Sequence, residues 1–160
     1  MNSGSQMKRK RLAPAQEGFS LIELLIVVAI ILIIAAIAIP NFIKAKIAAN
    51  EATAVSSLHA LNTAEMAYST ANPNIGFTAL LSDLGPGVSG YIDNQLASGT
   101  KSGYTFTYAP AGAPQYTSYT LTADPLNRGV TGQRSFFSSE VNVTHYNATA
   151  TADVNDAVLQ

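Results

Sequence analysis

FSLIELLIVVAIILIIAAIAI, residues 19–39, decides how this chain is read. Only Ser20 and Glu23 are polar in the stretch, and both fall within its first turn or so. As an α-helix it is about 32 Å long at 1.5 Å per residue, close to the thickness of a bilayer's hydrocarbon core. A helix of this length buried in a soluble domain carries a polar stripe. This one carries none beyond its start, and the pattern predicts a membrane span.

Working outward, Lys8, Arg9, Lys10 and Arg11 precede the span, and Lys44 and Lys46 follow it. Four basic residues against two predict a cytoplasmic N-terminus, with the rest of the chain outside. The overall balance of nine basic and ten acidic residues hides this asymmetry; beyond residue 18 it becomes five against nine. Direct nucleic-acid binding, which needs a broad basic surface, is not expected. Cysteine is absent, which removes disulfides, thiolate nucleophiles and Cys-based metal sites.

Pro40 has no N–H to donate and is expected to kink the helix without ending it, because residues 41–71 resume a helical pattern. Ile47, Val55, Leu58, Leu61 and Tyr68 fall near one face, with Ala48, Ala54 and Ala64 beside them. Lys44, Glu51, Ser57 and Asn62 are available for other faces. Asn72-Pro73 is the expected stop. The Gly- and Pro-rich residues 73–103 read as a loop with a short helical turn at Thr78–Leu84. Strand patterns follow. Tyr104–Tyr108 alternates aromatic and Thr, and Tyr116–Ala123 places Tyr119, Leu121 and Ala123 on one side. Arg134–Ser138 and Val141–Tyr146 read as two more strands, and the polar tail from Thr149 as loosely held. The fold class is α+β: a long N-terminal helix whose 41–71 half covers one side of a small antiparallel sheet.

The run Gly18-Phe19-Ser20-Leu21-Ile22-Glu23, with the apolar residues after it and the basic cluster before it, closely resembles the cleavage and methylation signature of type IV prepilins. The resemblance implies a leader at 1–18, removed by a prepilin peptidase that cuts between Gly18 and Phe19 and methylates the Phe19 amine. It implies a transmembrane and filament-core segment at 19–39, an amphipathic half at 40–72 and a head domain at 73–160. It also implies that Glu23 meets the Phe19 amine of a neighbouring subunit and sets the register of a homo-oligomeric filament. An inner-membrane assembly platform would extract the subunit from the bilayer and deliver it to a periplasmic or surface fibre. The residue types fit. Gly18 lets a protease reach the backbone, and a carboxylate in hydrocarbon needs a partner or an interface. Two departures stand out: Leu32 replaces the Gly found eight residues before the Pro in many pilins, and no disulfide closes the C-terminal region, leaving that to packing by residues such as Phe136 and Phe137.

Other readings compete. Ala36-Ile37-Ala38 offers a signal-peptidase pattern, but the apolar run exceeds the usual h-region and contains Glu23. A non-polymerising, membrane-anchored periplasmic binding domain leaves Gly18, Glu23 and Pro40 as coincidences. A pseudopilin or minor pilin of a secretion or DNA-uptake fibre stays within the family. His59 and His145 show no ligand spacing, and the Asp153–Asp156 tail lacks the Gly and distal Glu of a calcium loop. Asn142-Val-Thr144 and Asn147-Ala-Thr149 fit a glycosylation pattern that short sequences often meet by chance. The aromatic row of Tyr104, Phe106, Tyr108 and Tyr119 is read as strand packing. No nucleophile elbow or phosphate loop is present, so neither catalysis, nor a cofactor, nor a metal is expected.

Overall fold

The computed structural model describes residues 18–159. The basic cluster Lys8–Arg11 and the leader up to residue 17 lie outside the described residues. One helix, α1 (Leu21–Ala71), takes in the apolar stretch, Pro40 and the amphipathic stretch. It ends where Asn72-Pro73 predicts. The chain divides into two compact units, one ending at Ile39 and the other beginning at Pro40.

The first unit contributes the apolar part of α1. Leu24 N–H donates to Ser20 O at 3.1 Å, so helical bonding starts next to Phe19. Its large apolar side chains, from Leu21 to Ile39, are exposed.

The second unit is a sheet covered on one side by helix. A 3-10 turn (Leu81–Leu84) and the short α2 (Asn94–Ala97) lead into six antiparallel strands in sequential order. These are β1 (Thr100–Lys101), β2 (Tyr104–Ala111), β3 (Ser118–Pro125), β4 (Ser135–Ser139), β5 (His145–Asn147) and β6 (Ala157–Val158). The alternation read in the sequence sets the register. Phe106 pairs with Ala123 and Tyr108 with Leu121. One face of β2 and β3 thus carries Tyr104, Phe106, Tyr119, Leu121 and Ala123 into the core, with Phe136 added by β4. Helix residues Ala54, Leu58, Leu61 and Ala64 supply the opposing face. Phe77 meets Tyr119 edge-on with ring centroids 4.7 Å apart, a favoured aromatic geometry. Gly132 matters here: a Cβ at that position would fall onto the Tyr104 ring.

Three expectations change. The strand at Val141–Tyr146 shrinks to His145–Asn147, because Asn142 takes a left-handed turn at φ 58° after β4. The strand read at Tyr104–Tyr108 runs further, because β2 continues through Pro110 to Ala111. The tail is not loose. β6 pairs with β5, Ala152 is buried and Leu159 packs against the core. Asp156 fastens the tail by accepting from the Asn147 side chain at 2.8 Å and from Asp153 N–H at 2.8 Å.

Candidate assembly surface

The first unit presents an unusual chemical surface. Its 18-residue window of mean hydropathy 3.3 has no buried residue, so it is not the core helix of a soluble domain. Phe19 is 74% exposed. Glu23, the one acidic residue of the first turn, lies four positions further on and is also exposed. Among the described residues it joins no ion pair, the two present being Lys101–Asp93 and Arg134–Glu51. Gly18 is not demanded by the chain's own packing: a Cβ there would meet nothing within 4 Å. Pro40 lies inside α1 and leaves the Ala36 carbonyl without its usual donor.

In the second unit the helix does the opposite. Glu51, Ser57 and Asn62, available for other faces by periodicity, are buried, and so is Glu65. Only Lys44 of that group is exposed as expected. Glu51, Asn62 and Glu65 are each met by specific partners. Glu51 Oε1 accepts from the backbone N–H groups of Gln133 at 2.9 Å and Arg134 at 3.0 Å, and Oε2 accepts from Arg134 Nε at 2.8 Å. Burial works to raise the Glu51 pKa. These three bonds and the Arg134 charge outweigh it and hold the carboxyl below its usual range. Asn62 donates to Ser138 Oγ and Asn142 Oδ1, each at 2.8 Å, and accepts from Tyr119 OH at 2.8 Å. Glu65 accepts from Thr78 N–H at 3.0 Å and from the Thr78 hydroxyl. It has no cation, and burial pushes its pKa up against those bonds. Burial also raises the Tyr104, Tyr108 and Tyr119 hydroxyls far above the usual phenol range. These are structural locks between helix and sheet. They escaped the sequence reading because their partners lie 13 to 83 residues away.

Among the described residues no group of three His, Cys, Asp or Glu could hold an ion. His59 is exposed, and His145 lies on β5 beside the Asp156 carbonyl. Asn142 and Asn147 are both engaged in hydrogen bonds that order their loops.

Comparison with known proteins fits this division. Residues 14–39 match the model of the prokaryotic N-terminal methylation motif. The chain is 52% identical over 62 residues to the type IV major pilin protein PilA of Myxococcus xanthus (strain DK1622). That match covers 39% of this chain and 28% of the relative, so the chain spans less than a third of the curated protein it resembles. No solved structure matches. The chain thus carries a prepilin-type motif on an apolar N-terminal helix compatible with a membrane anchor, and both likenesses support kinship with type IV pilins.

Proposed function

We propose that this chain is a structural subunit of a type IV pilus. A membrane peptidase hydrolyses the Gly18–Phe19 bond, and the Phe19 amine is methylated. The apolar segment 19–39 then stays on the product, unlike a conventional signal. It waits in the inner membrane with the head outside. An assembly platform extracts it, and sister helices replace lipid around it. Between lipid-facing helices the hydrophobic effect offers no drive, so packing and polar pairing choose the arrangement. Glu23 supplies the pairing: its carboxylate meets the Phe19 amine of a neighbour, and only one stagger satisfies both. Pro40 provides a kink, and Leu32 gives the helix no second weak point. The protein is an assembly element, not an enzyme.

The observation that carries this reading is an apolar helix with all of its large side chains exposed, bearing one carboxylate, without an ion pair among the described residues, four residues from the expected new terminus. Gly18 supports it, because no packing among the described residues accounts for a glycine there. The test is mass spectrometry of filaments sheared from cells. The expected peptide begins at methylated Phe19; retention of residues 1–18 would favour the anchored binding domain. A pseudopilin or minor pilin is the second reading. It is favoured by the short extent of the match to the major pilin, which covers 39% of this chain. Scarcity of the chain in the sheared fraction would select it.

A further inference from the structure

The head domain carries a second surface that its own chain leaves uncovered. A groove of ≈ 500 Å³ runs between the end of α1 and the sheet, lined by Met66, Ala67, Thr70, Tyr119 and Glu140 among others. A second groove of ≈ 440 Å³, with Pro110, Phe137 and Val154 in its wall, lies on the other side of the same Tyr119 and Glu140. Met66, Val141 and Val154 are exposed apolar side chains around this ridge. Glu140 is half-buried, and its recorded contact is a long 3.5 Å bond from Tyr119 N–H. The ridge therefore offers an apolar trough with one carboxylate that pairs with no cation among the described residues.

Of the five Lys and Arg side chains among the described residues, three are committed. Lys101 pairs with Asp93, and Arg134 with Glu51. Arg128 donates to the Gln133 and Ala148 carbonyls and to Ser135 Oγ. Lys44 and Lys46 remain, exposed and without an acidic partner among the described residues. They directly follow Phe42 and Ile43 on α1, which are also exposed, Phe42 at 70%. One part of the chain is thus apolar and basic, and another is an apolar trough with a lone acid.

We propose that the segment Phe42–Lys46 of a second copy docks in the Glu140 groove, its apolar residues entering the trough and Lys44 or Lys46 pairing with Glu140. This rests on the pilus reading and names a contact within that assembly. It is a helix-in-groove contact. Lys44 and the groove lie about 20 residues apart along α1, so the two copies must be offset by about 30 Å along the helix axis. Copies held at one level in a membrane cannot meet that condition. Copies staggered in a fibre can. Parallel copies also cannot satisfy the contact reciprocally: each offers its basic segment one way and its groove the other. Such a head-to-tail contact propagates instead of closing on a pair.

The test uses the full chain, whose lack of cysteine means that every thiol is an introduced one. A chain carrying both Lys46→Cys and Glu140→Cys is expressed, oxidised and run without reductant. A ladder extending beyond dimers in the filament fraction is expected, with each single variant stopping at dimers. A ladder without filaments upholds the docking and sinks the pilus reading. Filaments without a ladder sink the docking and leave the pilus reading standing; neither filaments nor ladder overturns both. Charge reversal gives an independent readout that needs no thiols. Glu140→Lys, or Lys44→Glu with Lys46→Glu, should each lower filament yield about fivefold, the upper worth of an exposed ion pair. Combining all three should restore it. Equal yields throughout, or failure of the combination to recover, would contradict the proposed pairing.

Discussion

The two stretches of α1 invert the usual rule about what faces outward. From Leu21 to Ile39 the helix is apolar and its large side chains are exposed; from Glu51 to Glu65 it buries two carboxylates and an amide. Both features run against solvation. Apolar surface left in water costs free energy in proportion to its area, and buried polar groups cost unless they are paired. The second cost is offset inside the chain, because every one of Glu51, Asn62 and Glu65 finds donors on the sheet or the loop. The first is offset by nothing among the described residues. The contrast teaches where each stretch is completed: the second by its own head domain, the first by surroundings that the chain does not contain.

Truncating one residue type in both places is the sharpest way to break this contrast. Leu58→Ala removes a side chain with no exposure and should cost about 3–5 kcal/mol, read as a shifted unfolding midpoint of the full chain in detergent. Leu25→Ala, in the exposed stretch, should leave that midpoint unchanged. Comparable losses at the two positions would mean that the apolar stretch is part of the folded core.

A smaller effect is expected at Glu51. Glu51→Ala strands the Gln133 and Arg134 N–H groups and frees the guanidinium, for a loss of about 2–3 kcal/mol. Its pH dependence follows from a carboxyl held below its usual range. The stabilisation is fully present above the unfolded value near 4.5 and fades as pH falls through the lower, folded value. The variant should lack this acid-side decline.

Glu65 should behave in the opposite sense. Its carboxyl is raised, so between about 4.5 and the folded value the native chain binds more protons than the unfolded one. Stability from this group therefore drops as pH rises through that window. Glu65→Gln, which cannot titrate, should flatten the slope while changing stability at neutral pH by only about 1 kcal/mol. Matched unfolding curves from pH 4 to pH 8 would expose a persisting slope, and that result would assign the titration elsewhere.

The sequence made some of this legible and hid the rest for a physical reason. The period-2 runs around Phe106 and Leu121 and the Asn72-Pro73 stop are local signals, and they placed β2, β3 and the end of α1 correctly. The 21-residue apolar run was equally local. Glu51 and Asn62 were misplaced because a helical wheel treats any polar residue as outward. Their burial is decided by Arg134, Ser138 and Tyr119, which the chain brings back only after the sheet has formed. The tail failed similarly: its polar composition suggested looseness, while Asp156 and Leu159 bind a distant strand and core. At the N-terminus, Gly18, Phe19 and Glu23 rest on the motif alone, since no contact among the described residues singles them out.

Glu23→Ala in the full-length chain, expressed in cells that assemble filaments, bears most directly on the proposed completion by sister helices. The head should unfold at the native midpoint, and the subunit should reach the membrane at its normal level, yet sheared filament should fall by an order of magnitude or more as helices lose their common stagger. Filaments of normal yield and order from that variant would contradict the account.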